Sequence, residues 1–207
     1  VTVERGASIE PFVVFDAAAG PILVSKGATV AAFTRLVGPC FIGADTVIVG
    51  DRVANCSIGE RSKIRGEMSS SIVLGHSNKG HTGFVGHSYL GRWVNLGAGT
   101  TTSNLKNTYG LVKMPLNNHD ENTGRQFLGA LIADHAKLGI GTYLSTGSVV
   151  GFASHVIAPR PPRFVPSFAW VTSEGVARAD FEKIEQIATT AMERRGVAFT
   201  PALHELF

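Results

Sequence analysis

The stretch VSKGATVAAFTRLVGPCFIGADTVI, residues 24–48, places an aliphatic side chain at every sixth position. These side chains belong to Val24, Val30, Leu36, Ile42 and Ile48. An amphipathic helix repeats about every 3.6 residues and a strand about every two, so neither accounts for this spacing. One aliphatic residue per six is typical of the hexapeptide β-helix, in which each unit is a short strand and a corner. Stacked coils of such a helix share one internal column of aliphatic side chains.

The same spacing recurs along much of the chain. After a shift of register it continues at Val47 and Val53, then at Ile58 and Ile64, at Leu90, Leu96 and Thr102, and at Ile132, Leu138, Leu144, Val150 and Val156. Glycine often follows the aliphatic residue directly, as at Ile42-Gly43 and Leu138-Gly139, which suggests corners that need backbone freedom. An ordinary β-sandwich would instead space its turns about eight to twelve residues apart. We therefore predict an all-β chain, a parallel β-helix of hexapeptide repeats.

Three segments interrupt the repeat. Residues 1–23 form an initial segment of imperfect coils, and residues 105–127 are expected to leave the β-helix as a long loop. The proline-rich segment 159–167 should end the β-helix, because proline lacks the backbone donor of a strand ladder. An amphipathic C-terminal helix is predicted after the N-cap Asp180. The predicted organisation is a β-helix domain over 1–158, followed over 159–207 by a proline-rich linker and a helical tail.

Composition narrows the function classes. The 207 residues are 44% hydrophobic and 17% charged, which excludes a disordered chain, and no apolar run is long enough to span a membrane. The net charge of +3 is not concentrated in basic runs, so no nucleic-acid partner is expected, whereas small anionic ligands would suit it. Cys40 and Cys56 are expected to be buried free thiols, which favours a cytoplasmic location.

Polar side chains that can carry chemistry concentrate in residues 75–107. This segment holds His76, His81 and His87 together with Lys79, Tyr89, Asn95 and Asn104. Histidine is the natural side chain for proton transfer near neutral pH, although a single histidine is more often structural. Three of them within twelve residues favour a functional site in this segment.

Two motifs in this segment carry a family resemblance. VNLGAGTTTSN (94–104) closely resembles the VNIGAGT-x-T-x-N motif in the acetyltransferase domain of bifunctional N-acetylglucosamine-1-phosphate uridyltransferases, and GHSYLG (86–91) resembles the GHLTYLG before it, one residue shorter. The stretch from GHSNKGH through NLKNTYG to FLGALIADH is also similar to a family of sugar nucleotidyltransferases with related C-terminal β-helices. The resemblance runs from about Arg65 to Val156. It implies a left-handed β-helix, a homotrimer and active sites between subunits.

The resemblance also implies roles for individual residues. His87 matches the general base that deprotonates the sugar amine for attack on acetyl-CoA, and Asn95 and Asn104 match asparagines that orient the amine and acetyl groups. Ala98 matches the residue whose backbone N–H stabilises the oxyanion. Arg65, Lys79 and Tyr89 match the groups that bind the sugar phosphate. The predicted catalytic residues are therefore His87, Asn95 and Ala98, and the predicted substrate-binding residues are Arg65, Lys79, Tyr89 and Asn104.

The resemblance predicts an N-acetyltransferase of the hexapeptide class, acting on an amino-sugar phosphate such as glucosamine 1-phosphate. Acetyl-CoA would be its co-substrate, lying along the wall of coils 132–156, and no CoA-binding side chain is identified there. The family's lysine after Asn104 is Lys106, Lys113 or absent. The chain contains no uridyltransferase signature, so it is either the C-terminal part of a two-domain protein or a stand-alone acyltransferase. Mg²⁺ would be required only by a nucleotidyltransferase domain elsewhere.

Two other classes of function stay open on these residues. Gamma-class carbonic anhydrases are also left-handed β-helix trimers, with three histidines around zinc, and His76, His81 and His87 would be the candidate ligands. That reading does not account for the VNLGAGTTTSN motif. The third alternative is a β-helix without catalytic activity, serving as a trimerisation module or a sugar-nucleotide sensor.

Overall fold

The computed structural model describes residues 1–116, 119–205 and 207, and it shows a left-handed parallel β-helix with three sides. The first sheet contains β1 (Thr2–Val3), β4 (Ile22–Val24), β7 (Cys40–Ile42), β10 (Ser57–Ile58), β13 (Ile72–Gly75), β16 (Tyr89–Arg92), β21 (Ala130–Ile132), β24 (Ser148–Val150) and β26 (Phe164–Val165). The second contains β2 (Ser8–Ile9), β5 (Thr29–Val30), β8 (Val47–Ile48), β11 (Lys63–Ile64), β14 (Asn78–Lys79), β17 (Asn95–Leu96), β22 (Lys137–Leu138), β25 (His155–Val156) and β27 (Ala169–Thr172), with β28 (Gly175–Arg178) added antiparallel.

The third side contains β3 (Val14–Asp16), β6 (Arg35–Val37), β9 (Arg52–Ala54), β12 (Glu67–Ser69) and β15 (Phe84–Gly86) as one sheet. Beyond β15 this side continues with the pair β18 (Thr101–Thr102) and β23 (Tyr143–Leu144). The backbone N–H of Gly86 in β15 donates to the Thr102 hydroxyl at 3.1 Å, so a side chain replaces the regular ladder there. Each coil thus visits the three sides in order before it stacks on the next.

The six-residue spacing identifies the core correctly over its longest runs. Val24, Val30, Leu36, Ile42 and Ile48 are each fully buried, and so are the predicted residues from Ile132 to Val156. The predicted register shift at Val47 is wrong, because Val47 points outward and its neighbour Ile48 fills the core. The shift falls one unit later, where the spacing between Ile48 and the next buried residue, Val53, is five positions instead of six. Both cysteines are buried free thiols, as predicted, and burial raises their pKa values to about 11 and 12.

Glycine after an inward aliphatic residue serves close packing between coils. A β-carbon on Gly59 would lie 2.1 Å from the carbonyl oxygen of Leu74 in the next coil, so only glycine fits there. The left-handed corner positions themselves are mostly filled by other residues, including Arg61, His76 and Trp93. The prediction that these glycines provide the corner conformation is therefore wrong. Glycine is needed there because the neighbouring coil leaves no room for a β-carbon.

Residues 105–127 leave the β-helix as predicted, but they contain regular structure. Strands β19 (Lys113–Leu116) and β20 (His119–Asn122) form an antiparallel hairpin, whose predicted loop residues 117–118 lie outside the described residues. An isolated antiparallel bridge between Leu105 and Phe127 closes the base of the insertion. The chain therefore leaves the β-helix and rejoins it at neighbouring positions, Leu105 and Phe127.

The C-terminal segment packs back on the β-helix. The proline-rich segment does not end the coils, since β26 and β27 extend the first and second sheets beyond residue 158. Helix α1 (Phe181–Glu193) begins after Asp180, whose carboxylate accepts from the Lys183 backbone N–H, as predicted for an N-cap. A short helix, α2 (Pro201–His204), follows. Among the described residues, no helix is both long and apolar enough to cross a bilayer.

Candidate active site

His87 lies at the corner between the third and first sides, in a left-handed conformation with φ of +49°. Its backbone N–H donates to Ser69 O in the coil below, and its carbonyl accepts from Gly129 N in the coil above, both at 2.9 Å. Asn55 and Ser70 occupy the same left-handed corner position in the two preceding coils. The stacked corners hold the unusual conformation, which costs free energy for a residue with a β-carbon.

The His87 imidazole is held by two neighbours. Asn104 Nδ2 lies 2.9 Å from His87 Nδ1, and the Phe127 ring stacks on the imidazole with centroids 5.3 Å apart. Burial lowers the pKa of His87 below its ordinary value of 6.5. The ring is therefore neutral at pH 7, which is the state that can accept a proton.

Asn104 decides which imidazole nitrogen is available as the base. When its Nδ2 donates to Nδ1, the neutral ring carries its proton on Nε2 and cannot accept one there. A half-turn of the amide puts Oδ1 in the same place, where it accepts from Nδ1–H and leaves Nε2 as the free base. The same 2.9 Å contact therefore orients the ring in either tautomer.

The insertion completes this corner. Asn104 is the residue before the insertion, Phe127 is its last residue, and the Leu128 backbone N–H donates to Asn104 O at 2.9 Å. Phe127 was not among the residues predicted from sequence, although an aromatic residue at the end of the insertion is a recognisable signal. Tyr89, the predicted phosphate ligand, begins β16 two residues after His87 and is exposed.

An apolar groove of about 550 Å³ runs along the first sheet below His87. Its wall includes Pro39, Phe41 and Ile72, with Ser70 at the corner position one coil beneath His87. Ile72 is also the register partner of Tyr89, so the groove ends directly below the His87 corner. The groove offers space and apolar surface one coil below the imidazole, and His87 itself is not part of its wall.

The remaining predicted residues lie on other parts of the surface within one chain. Arg65 sits near the corner between the second and third sides, where its Nε lies 3.5 Å from Asp51 Oδ2. Asn95 is on the second sheet and accepts from Asn78 Nδ2 at 2.9 Å, and Ala98 follows that strand. A single chain therefore brings together His87, Tyr89 and Asn104, but not Arg65, Asn95 and Ala98.

Lys79 lies inside the β-helix, which corrects its predicted contact with substrate. It occupies an inward position of β14, is 1% exposed, and its ammonium donates to His81 O at 2.6 Å and Thr82 O at 2.7 Å. Burial lowers its pKa to about 8. A phosphate outside the wall cannot reach this group. Lys106, from the loop alternatives, donates to Leu111 O within the insertion.

The three histidines of the zinc alternative lie at three different corners of the coil. His76 is at the corner between the first and second sides, His81 follows β14, and His87 is at the corner before β16. Among the described residues, no group of three possible metal ligands lies together. One chain therefore does not assemble this set.

Comparisons with known proteins agree with the motif resemblance. The chain is 33% identical over 94 residues to a bifunctional sugar-1-phosphate nucleotidylyltransferase/acetyltransferase of Sulfurisphaera tokodaii, covering 44% of this chain and 23% of that protein. It is 30% identical over 154 residues to the bifunctional protein GlmU of Jannaschia sp., covering 70% of this chain and 31% of that protein. The chain thus spans less than a third of the length of these relatives. No protein-family model matches it.

The fold is shared with a solved acyltransferase-type structure. A "putative acetyltransferase" of Bacillus cereus superimposes with a TM-score of 0.50 at 16% identity, covering 92% of this chain and 95% of the other. At this identity the likeness concerns the fold alone. The name of the Sulfurisphaera tokodaii relative, by contrast, agrees with the family that the motifs of residues 86–104 resemble.

Proposed function

We propose that this chain is an N-acetyltransferase of the hexapeptide class, which transfers an acetyl group from acetyl-CoA to the amine of an amino-sugar phosphate. The observation that carries the proposal is the His87 corner, a neutral imidazole oriented by Asn104 above an open groove. The name of the Sulfurisphaera tokodaii relative supports acetyl transfer and a sugar phosphate. Glucosamine 1-phosphate is the acceptor to test first.

In this reaction His87 acts as the general base. The amine nitrogen attacks the thioester carbonyl while the imidazole takes a proton from that nitrogen. The tetrahedral intermediate then collapses, the C–S bond breaks, and the CoA thiolate leaves and takes up a proton, which His87 can return. The products are the N-acetylated sugar phosphate and CoA–SH. Asn104 positions the imidazole throughout, and Tyr89 contacts the acceptor phosphate.

Arg65, Asn95 and Ala98 fit the proposal if two chains share each active site. The resemblance implies a homotrimer with sites between subunits, and a residue on another corner of one chain can then face the His87 corner of a second chain. Arg65 would then grip phosphate, Asn95 would orient the reacting amine, and the Ala98 N–H would stabilise the oxyanion. Acetyl-CoA is placed along the outer wall of coils 132–156.

The proposal is tested by CoA thiol release with acetyl-CoA and glucosamine 1-phosphate, followed by a screen of other amino-sugar phosphates. His87→Gln should lower kcat/KM by about 100-fold or more, because a positioned general base contributes on that scale. His81→Gln is the matched control, since His81 is exposed on another part of the coil, and it should retain activity within about twofold. Thiol release by His87→Gln at the wild-type rate would refute the base. Acceptor binding without turnover in the wild type would identify a module without catalytic activity.

A further inference from the structure

A second cleft, of about 700 Å³, lies between helix α1 and the second sheet. We call it the helix cleft. Its sheet wall consists of Lys63, Asn78, Asn95 and Lys137, which sit on four neighbouring strands, together with Trp93 and His76 at the adjoining corner. Its other wall consists of Gln186, Ile187, Thr190 and Ala191 of α1, followed by Arg194 and Arg195. Within one chain it is separate from the His87 corner, which lies at the other end of the first-sheet strands. Its wall includes Asn95, which is proposed above to face the His87 corner of a second chain.

The helix cleft is lined by cations and by no carboxylate. Lys63, Lys137, Arg194 and Arg195 contribute four positive charges, and none of the described lining residues is Asp or Glu. Nor does any of the four form an ion pair within the described part of the chain. Two neighbouring cations outside the cleft are paired, Arg92 with Glu60 at 3.2 Å and Arg61 with Asp45 at 3.8 Å. The cleft therefore gathers four cations that have no carboxylate partner.

These charges are held at close quarters, and they disfavour one another. Burial and then Arg195 lower the pKa of Lys137 to about 8, and burial and then Arg194 lower that of Arg195. Two of the cations are also anchored, because Lys137 Nζ donates to Trp93 O and Arg195 Nη1 donates to Arg61 O, each at 2.6 Å. A bound anion would relieve the repulsion and use the remaining N–H donors of both groups.

The other two cations of the cleft are Lys63 and Arg194, and both side chains are exposed. Within the described residues, neither of these side chains donates a hydrogen bond. The side-chain amide of Asn78 donates to the side-chain oxygen Oδ1 of Asn95. The side-chain N–H₂ group of Asn95 is left as a neutral donor. Trp93 adds an aromatic surface and is already packed against His76, with centroids 4.4 Å apart.

We propose that the helix cleft binds a ligand that carries a diphosphate group, with Lys63, Lys137, Arg194 and Arg195 around the phosphates and Trp93 beside the rest of the molecule. Four cations match the charge of a diphosphate better than that of a single carboxylate. A guanidinium group can also donate two parallel hydrogen bonds to the oxygens of one phosphate. The proposal does not depend on the chemistry of His87. Acetyl-CoA also carries a diphosphate, attached to adenosine, and Lys137 belongs to the coils along which this co-substrate is proposed to lie. The ADP titration below therefore tests whether the cleft holds that end of acetyl-CoA.

The test is calorimetric titration of the full chain with inorganic pyrophosphate, without acyl-CoA, at low ionic strength. The double variant Lys63→Gln with Arg194→Gln should weaken binding by about tenfold or more, because two charge-assisted contacts are lost. Neither side chain holds the fold together, so the variant should melt like the wild type. The matched control is Lys26→Gln with Arg178→Gln, which removes the same charge from exposed positions elsewhere and should change the affinity by less than about twofold.

Two nucleotide titrations identify the source of the diphosphate. Tighter binding of UDP or ADP than of pyrophosphate would show that a nucleoside contributes through Trp93, whereas equal binding would show recognition of the diphosphate alone. The proposal is overturned if pyrophosphate does not bind below about 5 mM, or if the control variant weakens binding as much as the cleft variant. Because no acyl donor is present, this result stands whether or not thiol release is observed.

Discussion

The His87 corner and the helix cleft are built in the same way, but they differ in charge. The imidazole at the corner is neutral, whereas the cleft is lined by cations. In both, a segment outside the hexapeptide repeat is laid on the regular wall, namely the insertion 105–127 at one and α1 with its following arginines at the other. At His87 the insertion brings an aromatic ring, and burial keeps one imidazole neutral. At the cleft the added segment brings two more cations to a wall that already carries lysines. The repeat provides a rigid surface with functional side chains of its own, and the added segment covers that surface and contributes further groups.

Apart from His87 itself, the largest effect in this comparison is expected from Asn104, which links the wall to the insertion. Asn104→Leu keeps the size of the side chain but loses the contact with His87 Nδ1, and should lower kcat by about 10- to 100-fold with little change in KM, as for other partners that orient a functional histidine. Asn104→Asp should restore much of the activity, because a carboxylate can accept from Nδ1–H.

The control for Asn104 lies on the same corner, three coils earlier. Asn55 donates to the Ser70 hydroxyl at 3.1 Å and lines the groove below His87 without forming a hydrogen bond to it. Asn55→Leu can therefore change KM, but it should keep kcat within about threefold. Equal losses from Asn55→Leu and Asn104→Leu in thiol-release assays would mean that Asn104 acts only through the stability of the corner.

The second prediction is that salt weakens ligand binding at the helix cleft but leaves turnover at the His87 corner nearly unchanged. Pyrophosphate binding at the helix cleft is dominated by charge, so raising the ionic strength from about 0.05 to 0.5 M should weaken it by roughly tenfold through screening. The kcat of thiol release, measured at saturating substrates, should change by less than about twofold, because the base at His87 is neutral and half-buried. A kcat that falls in parallel with pyrophosphate affinity would contradict the separation of the two sites.

The third prediction concerns the pKa of His87 and the ring that covers it. The protonated imidazole cannot act as a base, so the activity due to His87 rises with pH and levels off above its pKa, which burial places below 6.5. Phe127→Ala should admit water and raise this pKa, so that activity at pH 6 falls by a few-fold while the plateau remains. An NMR titration of the His87 imidazole, assigned by its loss in His87→Gln, gives both pKa values. An unchanged or lower pKa in Phe127→Ala would contradict the role of the ring.

The sequence was most informative where one rule governs every coil. Six-residue spacing located the inward residues, but it could not choose between the adjacent aliphatics Val47 and Ile48, since both fit an internal column. The family resemblance assigned Lys79 to phosphate binding, and the sequence could not show that it lies inside, because a buried lysine needs carbonyl partners that only the folded coil supplies. His87 and Asn104 were found by motif. Phe127 and the helix cleft depend on where the insertion and α1 fold back, and no local pattern encodes that contact.

The smallest effect on catalysis is expected from Lys79, although the motif resemblance assigns it to phosphate binding. Lys79→Met should leave the KM for glucosamine 1-phosphate within about twofold of wild type, because the ammonium faces the inside of the coil. The same change frees the carbonyls of His81 and Thr82, and should therefore lower the melting temperature. A large rise in KM without a loss of stability would return Lys79 to the substrate site.

The most direct test of the central claim is thiol release by His87→Ala, measured with and without added imidazole. The substitution removes the ring between Asn104 and Phe127 and leaves space that a free imidazole can enter. We expect His87→Ala to lose about 100-fold or more of the wild-type kcat/KM and to recover part of it, saturably, as imidazole is added. Wild-type turnover by His87→Ala in the absence of imidazole would contradict the assignment of His87 as the base.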